Sequence, residues 1–71
     1  MENLKEFGNN IRLERLRIRY SQEKLAELAG IQQPHLGKIE RGETDIRFST
    51  LVSILKALNV PFEKVFDLKL K

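Results

Sequence analysis

The sequence has no cysteine and one histidine, His35, in 71 residues. No disulfide can staple the fold, and cysteine usage leaves the redox compartment unmarked. A Cys/His metal site is excluded, so no metal or other cofactor is expected; only weak carboxylate sites remain open. No run of about 20 apolar residues is present, so no membrane span is expected. The opening MENLKEFGNN is acidic and polar, unlike a signal peptide. A cytoplasmic location is the expectation. There is no Gly-rich phosphate loop, and Ser21, Ser49 and Ser53 have no evident base beside them. A chain this small has no room for a deep pocket, and an enzyme is not expected.

Apolar residues make up 41% and charged residues 32%, the composition of an ordinary globular chain. Its length predicts a single domain spanning 1–71 with a modest core. The formal net charge of +3 suits a polyanion without demanding one. The placement of charge says more. Between Leu28 and Gly42 the only acid is Glu40, while His35, Lys38 and Arg41 supply nitrogen donors. A second basic cluster lies at Arg12, Arg15, Arg17 and Arg19.

The pattern is helical throughout. Leu4, Phe7, Ile11 and Ile18 share one stripe and predict a helix from about Asn3 to Arg19. Ser21 is a good N-cap for a second helix, Gln22 to Ala29, which buries Leu25, Ala26 and Ala29 and ends at Gly30. Gln32 or Gln33 opens a third helix, with Pro34 tolerated in its first turn and Gly42 as its stop. Leu51, Ile54, Leu55 and Leu58 predict a fourth helix over 48–58, and Phe62, Val65 and Phe66 a short fifth. The tail FDLKLK alternates with the period of a strand.

Helices two and three, joined by a short turn containing glycine, form a helix-turn-helix pattern. Spacing alone also fits a plain helical hairpin. The side chains favour the first reading. At about 100° per residue, Leu36, Ile39 and Glu40 face inward, while Pro34, Lys38 and Arg41 point away and Gln33 sits at the edge of that outer face. That face has long donors and no acid. A helix lying in a major groove meets base edges with its N-terminal side chains and phosphates with basic residues further along. Gln33 can match adenine N6 and N7, and Lys38 favours guanine O6 and N7. Gly37 either lets the backbone approach DNA or packs against a neighbouring helix. Gln22, at the start of helix two, stands where free N–H groups favour a phosphate, although a lone glutamine is often surface filler.

The stretch SQEKLAELAGIQQPHLGKIERGE, with Ser21, Gln22, Leu25, Ala26, Ala29, Gly30, Ile31, Gln33, Ile39, Glu40, Arg41 and Gly42, resembles the Cro/repressor-type, XRE-like helix-turn-helix family. STLVSILKALNVPFEKVF is similar to the family's fourth and fifth helices. The resemblance covers about residues 4–67. It implies an all-α fold, a compact five-helix lambda-repressor-like domain, with double-stranded DNA as partner. Recognition-helix residues 32–41 would lie in the major groove. It further implies base contacts for Gln33, Pro34 and Lys38, and backbone contacts for Gln22, Gln32, His35 and Arg41. In relatives the residue matching Gln22 also braces the first reading glutamine, here Gln33. An ion pair between Arg15 and Glu40 is implied as an architectural link. The sequence supports that pair independently, because Arg15 lies on the buried stripe, where an unpaired charge is costly.

Three features depart from the pattern. Arg47 replaces the small cap that usually precedes helix four, so the cap moves back to Asp45 or is absent; Arg47 is either a phosphate contact or a solvated loop residue. Proline and lysine at two reading positions prevent transfer of an operator sequence. Leu13, Leu16 and Tyr20 lie opposite the buried stripe, as a wide core face, scattered surface residues or a partner surface.

The resulting expectation is a sequence-specific transcriptional regulator, a homodimer on a near-palindromic operator. Phe62, Val65, Phe66 and Leu68 are candidate dimer contacts, although helix five must also cover the core. The alternative is an antitoxin that binds a toxin protein and autoregulates its operon, with the strand-like tail and the Leu13/Leu16 face serving that partner.

Overall fold

A computed structural model describes residues 2–67. Five helices follow in order: α1 (Glu2–Arg17), α2 (Gln22–Ala29), α3 (Gln33–Arg41), α4 (Phe48–Leu58) and α5 (Phe62–Val65). The described residues contain no strand. Phe66 and Asp67 are not extended into one, and the rest of the strand-like tail, Leu68 included, lies outside the described residues.

The first four helices end in the same way. In each, one backbone N–H reaches back five residues and the preceding one reaches back three. The pairs are Tyr20→Arg15 with Arg19→Leu16, Ile31→Ala26 with Gly30→Glu27, Glu43→Lys38 with Gly42→Ile39, and Val60→Leu55 with Asn59→Lys56. This is the Schellman closure, which needs a left-handed residue just past the helix. Gly30 and Gly42 supply it at φ 72° and 71°; Arg19 and Asn59 supply it at 61° and 57°. The closure explains why α1 stops at Arg17 and not at Arg19. It also turns Tyr20 back against the core, so Tyr20 does not join the exposed Leu13 and Leu16.

The core gathers Phe7 and Ile11 from α1, Leu25, Ala26 and Ala29 from α2, Leu36 and Ile39 from α3, Leu51, Ile54 and Leu58 from α4, and Val65 from α5. Leu4, Ile18 and Leu55 are only half-buried at its edge. Ser21 caps α2 by accepting the Lys24 N–H at 3.0 Å. Arg47 stands at the N-cap of α4 without a side-chain cap bond. Asn10 Nδ2 donates to the Val65 carbonyl at 3.0 Å and ties α5 to α1.

Two glycines let α1 lie directly against the end of α3. A Cβ at Gly8 would overlap the Ile39 carbonyl oxygen and stand 2.7 Å from that of Glu40. A Cβ at Gly42 would stand 2.6 Å from the backbone N and Cα of Lys5. Backbone cannot yield as a side-chain tip can, so only glycine permits this approach. α1 is therefore the platform on which α3 is seated.

Candidate nucleic-acid interface

Seven residues after Gly8, two turns along α1, Arg15 meets α3. Its Nε donates to Glu40 Oε2 at 2.7 Å and its Nη2 to Glu40 Oε1 at 3.1 Å. Its Nη1 donates to the Tyr20 carbonyl at 2.7 Å. Gln22 Nε2 adds a third donor to the carboxylate, 2.9 Å from Glu40 Oε1. Arg15 and Glu40 are both buried. A buried charge is tolerated only when paired and hydrogen-bonded, and here one carboxylate binds three elements: α1, α2 and α3. The network fixes α3 against the rest of the domain, and buried Arg15 and Glu40 take no part in its outer face.

That outer face carries Gln33, Pro34, Lys38 and Arg41, all exposed, with Gln32 exposed at the N-cap and His35 half-buried beside them. Lys38 has no ion-pair partner among the described residues. Arg47 is exposed at the start of α4. α3 thus presents a polar and basic surface from a rigidly held helix, the arrangement a groove-reading element requires.

The Gln22 amide is turned to Glu40, and no hydrogen bond joins it to Gln33 among the described residues. Gly37 is buried beneath side chains: a Cβ there would stand 3.1 Å from Arg41 Nη1 and 3.6 Å from Gln22 Oε1.

Arg41 has a partner that periodicity did not reveal. Its Nε and Nη2 donate to Glu43 Oε2 and Oε1 at 2.9 and 3.2 Å. The side-chain hydrogen bond raises the Arg41 pKa and lowers that of Glu43, reinforced by charge attraction and, for Glu43, by nearby Lys38.

The candidate dimer residues separate. Val65 is fully buried within the chain and belongs to its core, not to its surface. Phe62 and Phe66 are partly exposed and stack on each other, centroids 4.0 Å apart and 7° from parallel. Phe66 also packs on Phe7 at 4.9 Å. An open groove on α4 and the turn that follows it is lined by Val52, Leu55, Lys56, Asn59, Val60 and Pro61. Among the described residues no group of acidic or histidine side chains could hold a metal, and no helix is long and apolar enough to cross a membrane.

Comparison with known proteins places this geometry. A family profile described as helix-turn-helix matches residues 11–65. The control protein C.SmaI of Serratia marcescens is 38% identical over 58 residues, covering 82% of this chain and 69% of that protein. The HTH-type transcriptional regulator SutR of Escherichia coli is 40% identical over 63 residues, 87% of this chain but only 35% of that longer protein. The crystal structure of the restriction-modification controller protein C.AhdI from Aeromonas hydrophila superposes with a TM-score of 0.90 at 29% identity, covering 93% of this chain and all of that one. The chain belongs to the XRE-type helix-turn-helix family of DNA-binding transcription regulators.

Proposed function

We propose that the chain is a cytoplasmic, sequence-specific regulator that binds a near-palindromic operator as a homodimer, with α3 in the major groove. The observation that carries this reading is the exposed face of Gln33, Pro34 and Lys38 on a helix anchored from behind by Arg15, Glu40 and Gln22. Gln33 and Lys38 read bases. Gln32, His35 and Arg47 contact the sugar–phosphate backbone, as do Gln22, through its remaining amide N–H, and Arg41. The dimer forms through Phe62 and Phe66, with Leu68, outside the described residues, as a further candidate contact. The names of the control protein C.SmaI and the controller protein C.AhdI support a regulator of this kind.

Selection from a random duplex library with the purified protein tests this. The expected result is an inverted repeat with half-site centres about 10 bp apart. Lys38→Ala is expected to change the preferred base within each half-site. An unchanged preference would mean that α3 is oriented differently on DNA. One observation favours a second reading: Leu13 and Leu16 are 50% and 44% exposed. An antitoxin would use such a face to hold its toxin. No enriched motif, together with a tightly copurifying protein, would favour that alternative.

A further inference from the structure

Among the described residues Arg41 is the one cation on the outer face of α3 that is held in an ion pair. The backbone of its acid, Glu43, is fixed: the Glu43 N–H is bonded to the Lys38 carbonyl at 2.9 Å, in the Schellman closure of α3. At the same position after α1, α2 and α4 the chain places Tyr20, Ile31 and Val60, each packed on the core. Only α3 puts a carboxylate there. The missing Cβ of Gly37 leaves space for the Arg41 guanidinium beside the Gln22 amide. The arginine thus lies back along its own helix, held by two hydrogen bonds.

We propose that Glu43 is an intramolecular competitor of DNA for Arg41: it holds the guanidinium, and phosphate must displace it before Arg41 contributes to operator binding. This rests on the DNA-binding reading above. Non-specific binding is almost wholly attraction to phosphates. A cation already paired with its own acid adds little to it. On the operator, base contacts fix the register and hold one phosphate against the end of α3. Arg41 then exchanges carboxylate for phosphate, and operator binding is weakened by the worth of the pair that is broken. A free Arg41 would make the same contact without that cost.

The test compares the selected operator with a random-sequence duplex of equal length, for wild type and Glu43→Gln, each also with Arg41→Ala. Glu43→Gln should tighten operator binding about two- to fivefold, the range open to an exposed ion pair. Binding to the random duplex should tighten by no more than that, because there the wild type keeps the pair. With Arg41→Ala present, Glu43→Gln should tighten the operator complex by less, because only general repulsion is relieved. A nitrogen-15 spectrum supplies a second readout. The Arg41 Nε–H signal should be protected in the free protein, lose protection in Glu43→Gln, and shift with operator but not with random duplex. Unchanged operator affinity in Glu43→Gln, or a tightening that persists in full without Arg41, would overturn the role of Glu43. Failure of the wild type to discriminate the two duplexes would instead overturn the DNA-binding reading itself.

Discussion

Glu40 and Arg41 are neighbours in α3, yet their ion pairs are opposites. The Arg15–Glu40 pair has side chains 9% and 2% exposed; the Arg41–Glu43 pair has side chains 57% and 52% exposed. One step of about 100° around the helix separates them. The inner pair is shut away from solvent and braced by Gln22 and the Tyr20 carbonyl, so it cannot exchange partners without opening the core. The outer pair is open to any competing anion. A reading helix needs both kinds of charge: one fixed, to set where the helix sits, and one free to change partners when DNA arrives.

The largest effect should come from breaking the inner pair. Glu40→Ala leaves Arg15 buried without its carboxylate and should destabilise the fold by about 3–5 kcal/mol in urea unfolding. Replacing both residues, Arg15→Met with Glu40→Leu, should cost less than that single change, since no charge is then stranded. If Glu40→Ala were as stable as wild type but bound no DNA, Glu40 would belong to the outer face and the contrast would collapse.

Gly8→Ala tests what brings the inner pair together. The added methyl meets the backbone of Ile39 and Glu40, so α1 must move off α3. A loss of about 1–3 kcal/mol or more is expected in thermal or urea unfolding. The Arg15–Glu40 pair, two turns along the same helix, should loosen with it. A neutral Gly8→Ala would show that α1 and α3 find another spacing at little cost.

These two changes mark where the sequence was readable and where it was not. Arg15 and Glu40 were legible because each put a charge on an apolar stripe, and the two strays called for one another. Ser21, Gly30 and Gly42 were legible because caps have strong residue preferences. Arg19 and Asn59 end their helices with the same geometry, but an arginine in a left-handed conformation gives no compositional cue. Gly8 was passed over, although a glycine inside a helix beside a buried phenylalanine is a signal of close approach. Val65 and Phe66 read alike as apolar residues on one short helix; only packing showed that the first is core and the second partly surface. Glu43 escaped because residues two apart do not face each other on a helix. It reaches Arg41 only because the chain has already turned past Gly42.

The smallest effect sharpens the outer half of the contrast. The Arg41 hydrogen bonds hold the Glu43 carboxyl below its ordinary pKa, with charge attraction to Arg41 and Lys38 acting the same way and desolvation against it. A carboxyl whose pKa is lowered on folding adds stability that is present above its unfolded pKa. That stability is lost as pH falls through the folded value. The pair is therefore complete at neutral pH and comes apart only in acid. A carbon-13 titration of the Glu43 carboxyl should show a midpoint below the ordinary glutamate range in the wild type. Arg41→Ala should move it up towards that range, and Lys38→Ala should raise it by less. Both groups are exposed, so global unfolding should barely respond to Arg41→Ala, in contrast to Glu40→Ala. Identical midpoints with and without Arg41 would mean that the two side chains are not held together in solution. The outer charge would then be free before any DNA arrives.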